Sequence, residues 1–343
     1  MNDGVKRRSE LEGKDNSSED KGNYKVVCTG DMVYNSMRMW QGANGISPYN
    51  GIVSPAYTVL TAKCDISNGF FAALFKTHKL ISEFCKHSQG MTSDTWNLKY
   101  PQIESIKTYI PSVAEQKKIA ALIEKVDKRI AIQKELIDSL KKYKRGVLQK
   151  LFSANKYNWK KARFGDFFTE HTEKTADTKT YPICSLTIED GIILKPEKYF
   201  REFLITKEGE SYKILRPSWF AYNPMNAHIG AVAPNTTGIA VSVSGYYNIF
   251  SVNQPETTTF WEEYLKCYNM LCYYKVIATG SLIEKQRVHY SQFVNIEMPL
   301  PSIKEQEQIS LLLRSLNNKL KNAECIYNNL LKQKSGFLQK LFI

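Results

Sequence analysis

The chain has 343 residues, a formal net charge of +13, and 43% hydrophobic and 12% aromatic side chains, enough for two domains and a sizeable core. It contains no run of roughly 18 apolar residues, which excludes a membrane-spanning helix, and its polar start, MNDGVKRRSELEGKDNSSEDKGN, lacks a signal peptide's apolar core. Seven cysteines without a CxxC pair and five scattered histidines give no zinc pattern and point to reduced thiols in a cytoplasm.

In chain order, residues 1–22 form a charged, Ser/Asp-rich stretch expected to lack structure by itself. Residues 23–109 predict a first domain of mixed α and β character. There, YKVVCTGDMVYN reads as two short strands turning at Thr29-Gly30-Asp31, and NGFFAALFKTHKLISEFCKHSQG reads as helical. Residues 110–153 predict one long helix. Ser112 and Glu115 form a capping box after Pro111, and no proline interrupts the following three dozen residues. Its apolar seam runs through Ile119, Ile123, Val126, Ile130, Ile137, Leu140, Val147 and Leu151.

Residues 154–299 predict a second β-rich domain, in which TGIAVSVSGYYNIFSV is β-branched and aromatic and TTFWEEYLKCYNMLCYYKVIATG is helical. Residues 300–343 predict a second long helix with a capping box at Ser302 and Glu305. Its seam is Ile309, Leu313, Leu316, Leu320, Ala323, Tyr327, Leu330, Phe337 and Leu341. Helices this long and amphipathic are unstable alone, so their stripes must pair.

The two long segments align without a gap at an offset of 190, with about a third of positions identical, and both end in LQKLF. Most of the net charge lies in them. Each places a lysine in the seam at the same point, Lys144 and Lys334, as a polar register device. The upstream regions match at nearly the same offset: Tyr34-Asn35 with Tyr222-Asn223, Met37 with Met225, and Gly90 with Gly280. A globular domain followed by a long helix is therefore used twice. The first copy lacks a counterpart of roughly the first 35 residues of the second, which opens near Trp159.

On the residues IPSVAEQKKIAALIEKVDKRI, LQKLF, their second copies, and GDMVYNSMRMWQGANG with GIVSPAY, the chain resembles the specificity (S) subunit of type I restriction–modification systems. The resemblance implies an α+β fold: two β-rich target-recognition domains, the first one incomplete, joined and followed by two long helices that pair as an antiparallel coiled coil. It implies that each domain reads half of a bipartite duplex DNA site while the helices set the gap and dock two methyltransferase (M) subunits, with restriction (R) subunits joining the complex. It implies no catalytic residue and no cofactor in this chain. S-adenosylmethionine, and ATP with magnesium, would belong to partner subunits, and the location would be the cytoplasm.

Asn and Gln can bond bidentately to adenine, and Arg to guanine. The candidate DNA-contacting residues are therefore Asn35, Arg38, Gln41 and Asn44 in the first domain. In the second they are Asn223, Asn226, His228 and Asn235, with Lys285, Gln286 and Arg287 after a glycine turn. Each has a bland counterpart as a turn, packing or solvated residue. Asn223 lies in YNPM, similar to the Asn-Pro-Pro-aromatic loop of amino-methyltransferases. Ser36 replaces Pro224 in the first copy, and no glycine-rich cofactor loop precedes either, so a turn beside a binding surface explains Asn223 better. Lys141, Lys142, Lys144 and Arg145 read as a solvated face or as a face docking the methyltransferase. The alternatives to DNA recognition are a non-enzymatic coiled-coil interaction protein and a truncated S subunit acting only as a dimer.

Overall fold

The computed structural model describes residues 4–11, 17, 19–92, 95–153, 159–195, 212–280 and 286–342. They fall into two compact units. Unit 1 comprises Met1–Ile137 with Asn322–Ile343, and unit 2 comprises Asp138–Lys321. Both boundaries lie inside the long helices, so each unit owns the start of one and the end of the other.

Up to its long helix, the first repeat contains β1 (Lys25–Val27), β2 (Met32–Asn35), β3 (Asn44–Ile46), β4 (Gly51–Val53), β5 (Tyr57–Leu60), α1 (Asn68–Leu74), α2 (His78–His87) and α3 (Tyr100–Glu104). The long helix α4 spans Val113–Phe152. The second repeat begins with β6 (Lys160–Arg163), β7 (Phe168–His171), β8 (Lys174–Thr175), β9 (Cys184–Thr187) and β10 (Gly191–Leu194). It continues with β11 (Tyr212–Leu215), β12 (Phe220–Tyr222), β13 (Val232–Pro234), β14 (Val241–Val243), β15 (Asn248–Val252), α5 (Thr258–Tyr264), α6 (Tyr268–Ile277), α7 (Tyr290–Phe293), β16 (Glu297–Leu300) and α8 (Ile303–Lys340). Antiparallel sheets and helices thus form the expected α+β fold.

The strands expected around Thr29-Gly30-Asp31 exist, and Asp31 N–H closes the turn on the Cys28 carbonyl at 3.0 Å. They do not pair with each other. β1 pairs with β4, while β2 lies between β3 and β5. Unit 2 repeats this plan: β11 pairs with β14, and β12 lies between β13 and β15. The match extends to single bonds. Lys25 Nζ donates to the Tyr57 carbonyl at 2.6 Å, and Lys213 Nζ to the Tyr247 carbonyl at 2.7 Å. Burial pushes the Lys213 ammonium pKa down.

A similar equivalence governs the turn before β2 and β12. Gly30 N–H bonds the Ser47 carbonyl at φ +94°, and Ser218 N–H bonds the Asn235 carbonyl at φ +66°. Ser218 is the one non-glycine residue with positive φ among the described residues. The repeats fall out of step by two residues immediately afterwards, because the loop from β13 to β14 is two residues longer than that from β3 to β4.

Unit 1 builds its core from Tyr34, Met39, Phe70, Leu74, Leu80, Phe84 and Leu98. Unit 2 uses the counterparts Tyr222, Ala227, Phe260, Tyr264, Met270, Tyr274 and Val288, enlarged by Phe164, Phe168, Phe220, Phe250, Trp261 and Phe293. Interlocked edge-to-face and stacked rings, such as Phe168 on Trp261 at 4.7 Å and Phe220 on Phe250 at 5.1 Å, add to the area burial.

The long helices close both cores. In unit 1, Ile119 and Ala120 near the start of α4, and Phe342 just past the end of α8, pack against the core, with Phe342 5.1 Å from Phe70. In unit 2, Ile309 near the start of α8 and Phe152 at the end of α4 do the same, with Phe152 6.0 Å from Phe260. The phenylalanine of each LQKLF therefore meets the equivalent helix in each unit. All the seam positions named from the sequence are buried or half-buried. Within unit 1 the two helices touch in antiparallel sense: Asp127 pairs with Lys334, and Gln133 Nε2 donates to the Ala323 carbonyl at 3.0 Å. The matching seam lysine of unit 2, Lys144, pairs instead with Glu263 of α5.

Helix starts are tied to the domains by a feature the periodicity did not indicate. Gln116 and Gln306 are buried, and each Nε2 donates to the carbonyl of the proline five residues earlier at 3.0 Å. Gln116 Oε1 also accepts from Ser67 N–H at 3.0 Å, just before α1. Unit 2 caps α5 differently, with Ser310 Oγ accepting from Phe260 N–H at 3.0 Å. The capping boxes are unequal. Glu305 Oε2 accepts from both Ser302 N–H at 2.9 Å and Ser302 Oγ at 2.8 Å, and Glu305 N–H approaches Ser302 Oγ at 3.4 Å. At the first site only Glu115 N–H to Ser112 Oγ, 3.4 Å, is present.

Two stability outcomes are expected. A non-glycine in the left-handed region costs about 1 kcal/mol, partly offset by the greater freedom of glycine in the unfolded chain. Ser218→Gly should therefore stabilise unit 2 by about 0.5 kcal/mol in denaturant unfolding, and Gly30→Ser should destabilise unit 1 similarly. Secondly, the Ser302 hydroxyl and N–H hold the Glu305 carboxyl below its ordinary pKa. A depressed carboxylate contributes stability above the ordinary carboxylate range and loses it as pH falls through the lowered value. Ser302→Ala should lower the unfolding midpoint more than Ser112→Ala at pH 7, and that difference should shrink on acidification through Glu305.

Candidate nucleic-acid interface

In each unit a short loop leaves the central strand and returns through a 3-10 turn. In unit 1 the turn is Met39–Gln41, ended by Gly42 at φ +75°. In unit 2 it is Ala227–Ile229, ended by Gly230 at φ +91°. Left-handed backbone at both ends explains the glycine at each. The loops begin alike: Asn35 Oδ1 accepts from Met37 N–H, and Asn223 Oδ1 from Met225 N–H, each at 3.0 Å. These Asx turns follow buried tyrosines, Tyr34 and Tyr222, whose phenol pKa values burial pushes up. Met37 and Met225 stand exposed at the same place.

A second loop lies against the first. In unit 1, Gln89 and Asn97 exchange backbone bonds at its neck, and Leu98 N–H donates to the Ser36 carbonyl at 2.8 Å. In unit 2, Thr279 and Arg287 exchange the same bonds, and Val288 N–H donates to the Pro224 carbonyl at 3.0 Å. The Tyr222 hydroxyl adds a 3.3 Å bond to the Val288 carbonyl.

On this shared frame the side chains differ. Arg38 corresponds to Asn226, Trp40 to His228, Gln41 to Ile229, Trp96 to Gln286, and Asn97 to Arg287. Trp40 and Trp96 meet edge-to-face at 5.2 Å, with Trp40 Nε1 donating to the Met37 carbonyl at 3.2 Å. The tryptophan pair was missed by reasoning restricted to charged and amide side chains. Its signal was two aromatics in glycine-flanked loops.

The named residues separate into groups. Gln41, Asn226 and Arg287 are exposed, while Arg38, His228 and Gln286 are half-buried. Asn35 and Asn223 are half-buried and hold their own loops. Asn44 is buried and donates to the Gly42 carbonyl at 3.1 Å. Asn35, Arg38 and Asn44 together line one cleft of unit 1. Asn235 is turned inward: its Nδ2 donates to the Leu215 and Ile239 carbonyls, both at 2.8 Å, and its Oδ1 accepts from Thr237 N–H and Oγ1. Its amide is spent on the longer β13–β14 loop. Lys285 lies outside the described residues.

Residues 7–142 match the family described as Type I restriction modification DNA specificity domain. Among curated proteins, the specificity subunit of the type I restriction enzyme MjaVIII from Methanocaldococcus jannaschii is 29% identical over 134 residues. That match covers 37% of this chain and 31% of the relative, so the matched stretch spans about a third of the relative's length. Among solved structures, the type I restriction–modification S subunit from M. genitalium aligns with TM-score 0.61 at 14% identity, covering 93% of this chain and 84% of that one. A structure described as explaining complex assembly and conformational transition of the type I R-M system aligns with TM-score 0.52 at 15% identity, covering 93% and 83%. At such identities these structures speak to the fold, and it is the same fold. The family match over residues 7–142 and the likeness of fold agree with the duplicated frame and the two long helices.

Proposed function

We propose that this chain is the non-catalytic DNA-recognition subunit of a type I restriction–modification complex. Each unit reads one part of a bipartite duplex site, and α4 and α8 pair antiparallel along their length to set the gap. The observation that carries this reading is one loop frame built twice with different side chains. A scaffold held constant at Asn35/Asn223 and Gly42/Gly230, but varied at 38/226, 40/228 and 41/229, suits two sites of like geometry and unlike sequence. Gln41, Asn226 and Arg287, with the half-buried Arg38, His228 and Gln286, would be the side chains that reach base edges. Asn235 and Asn44 support the loops instead.

Phosphate contacts would supply most of the affinity and make it salt-dependent. The recognition domains are near neutral, because most of the excess charge sits on the helices. A partner's positive surface would therefore contribute to tight binding. Two methyltransferase subunits would dock on the helices. Exposed Ile132 and Leu136 on α4 and Ile326 on α8 support a docking face there. Restriction subunits would join that complex in the cytoplasm. S-adenosylmethionine, and ATP with magnesium, would be bound by these partners.

Co-expression with a methyltransferase subunit of this family, followed by methylome sequencing, tests the reading. A co-purifying complex and a new two-part modified motif are expected. No complex and no new motif would leave only a coiled-coil interaction protein. At residue level, Asn226→Ala should weaken binding of the complex to its site about tenfold or more, consistent with roughly 1–3 kcal/mol for a base contact. Its effect on stability should stay within about 0.5 kcal/mol. Asn235→Ala should do the reverse, costing unit 2 about 1–3 kcal/mol through orphaned buried carbonyls.

A further inference from the structure

The loops at 35–42 in unit 1 and 223–230 in unit 2 correspond position by position, since both leave the central strand and end on a left-handed glycine. Most of their residues differ: Ser36 against Pro224, Arg38 against Asn226, Met39 against Ala227, Trp40 against His228 and Gln41 against Ile229. Three residues are kept, Asn35 as Asn223, Met37 as Met225 and Gly42 as Gly230.

The backbone accounts for two of these. Each Asn closes its own Asx turn at 3.0 Å, and each Gly takes a positive φ, +75° and +91°, that a side chain would strain. It does not account for the methionines. The Asx turn needs only their N–H, which any residue but proline supplies. Met37 is 45% exposed and Met225 38%, and neither joins a core cluster among the described residues. The inward position of the loop belongs to Met39 and Ala227, both buried. An apolar side chain is thus kept at the surface where its neighbours have changed.

Both methionines are firmly seated. The carbonyl just before each, Ser36 or Pro224, accepts from the second loop, from Leu98 N–H at 2.8 Å or Val288 N–H at 3.0 Å. In unit 1 the Met37 carbonyl also accepts from Trp40 Nε1 at 3.2 Å. A fixed backbone therefore carries an unbranched, polarizable side chain that adapts to irregular apolar surfaces. Stacked base pairs offer such a surface whatever their sequence, and methionine is among the side chains that wedge between base steps. The residue after each methionine is polar, Arg38 or Asn226, which fits a nucleic-acid groove better than an apolar protein surface.

Resting on the DNA-recognition reading, we propose that Met37 and Met225 are the wedges with which the two units open their half-sites. Each side chain presses between two stacked base pairs and loosens them without reading their identity. The differing neighbours supply sequence preference, and the shared methionine supplies the same distortion on both sides. A base that is to be methylated must leave the stack, so loosening has a use in each half-site. A contact to one base edge, such as a thymine methyl, gives no reason for the same residue in two loops that have otherwise diverged.

The test uses the full chain in complex with a methyltransferase subunit. Duplexes carry 2-aminopurine, which brightens when it loses its stacked neighbours, at successive positions of both half-sites. With the unaltered chain, about threefold brightening is expected at one step in each half-site. Met37→Ala should abolish it in one half-site only and Met225→Ala in the other, with methylation there slowed about tenfold and the recognised motif unchanged. Met37→Leu and Met225→Leu keep an apolar wedge and should restore both signals. No brightening with the unaltered chain, or brightening that survives both Ala variants, overturns the proposal. A changed motif overturns it in favour of base reading, and loss of the complex in the Ala variants overturns it in favour of a protein contact. An unaltered complex that yields no two-part motif would instead sink the DNA-recognition reading, and the wedge with it.

Discussion

The structure depends on the way each domain core is closed. Neither globular half is finished by its own helix alone. Unit 1 takes Ile119 from the start of α4 and Phe342 from just past the end of α8, and unit 2 takes Ile309 from the start of α8 and Phe152 from the end of α4. The duplicated LQKLF is therefore a docking plug, used once in each unit, and not merely a helix end. Gln116 and Gln306 fix where each helix starts, since burying an amide demands partners and the nearby proline carbonyl supplies one. The seam lysines show the same economy: Lys334 finds Asp127 and Lys144 finds Glu263, so neither charge is left unpaired where it is partly covered.

Around these fixed points the repeats have diverged in a patterned way. What holds the frame is kept: the tyrosine before the Asx turn, the left-handed glycine after it, the lysine clip between sheets and the neck of the second loop. Apart from Met37 and Met225, what projects from the frame is changed. A tryptophan pair in unit 1 stands where His228 and Gln286 stand in unit 2. Such divergence fits the proposed reading, in which the two units recognise unlike half-sites. Affinity for a polyanion comes from charge, whereas discrimination needs particular groups at base edges.

The long helices were legible in the sequence because two independent signals agreed, the capping residues and a seam sustained for about nine turns. The strands were legible as segments but not in their pairing. β1 and β2 are three and four residues long and sit five residues apart, which suggests a hairpin, yet they belong to different sheets. Strands so short carry no usable period, and long-range contacts decide their partners. The loops were located correctly, but composition could not tell a presented amide from a structural one. Asn226 and Asn235 look alike in the sequence, and only the carbonyls of Leu215 and Ile239 reveal that Asn235 is committed. The half-made first box at Ser112 was equally hidden, because identical residues formed different numbers of bonds.

The central claim is that the two units are separate readers on one frame. Its most direct measurement is the methylated motif produced, with a methyltransferase subunit, by a chain whose first loop carries the second loop's side chains: Arg38→Asn, Trp40→His and Gln41→Ile together. The account predicts that one part of the two-part motif changes while the other part and the gap stay as they were. An unchanged motif, or simultaneous change in both parts, would contradict it.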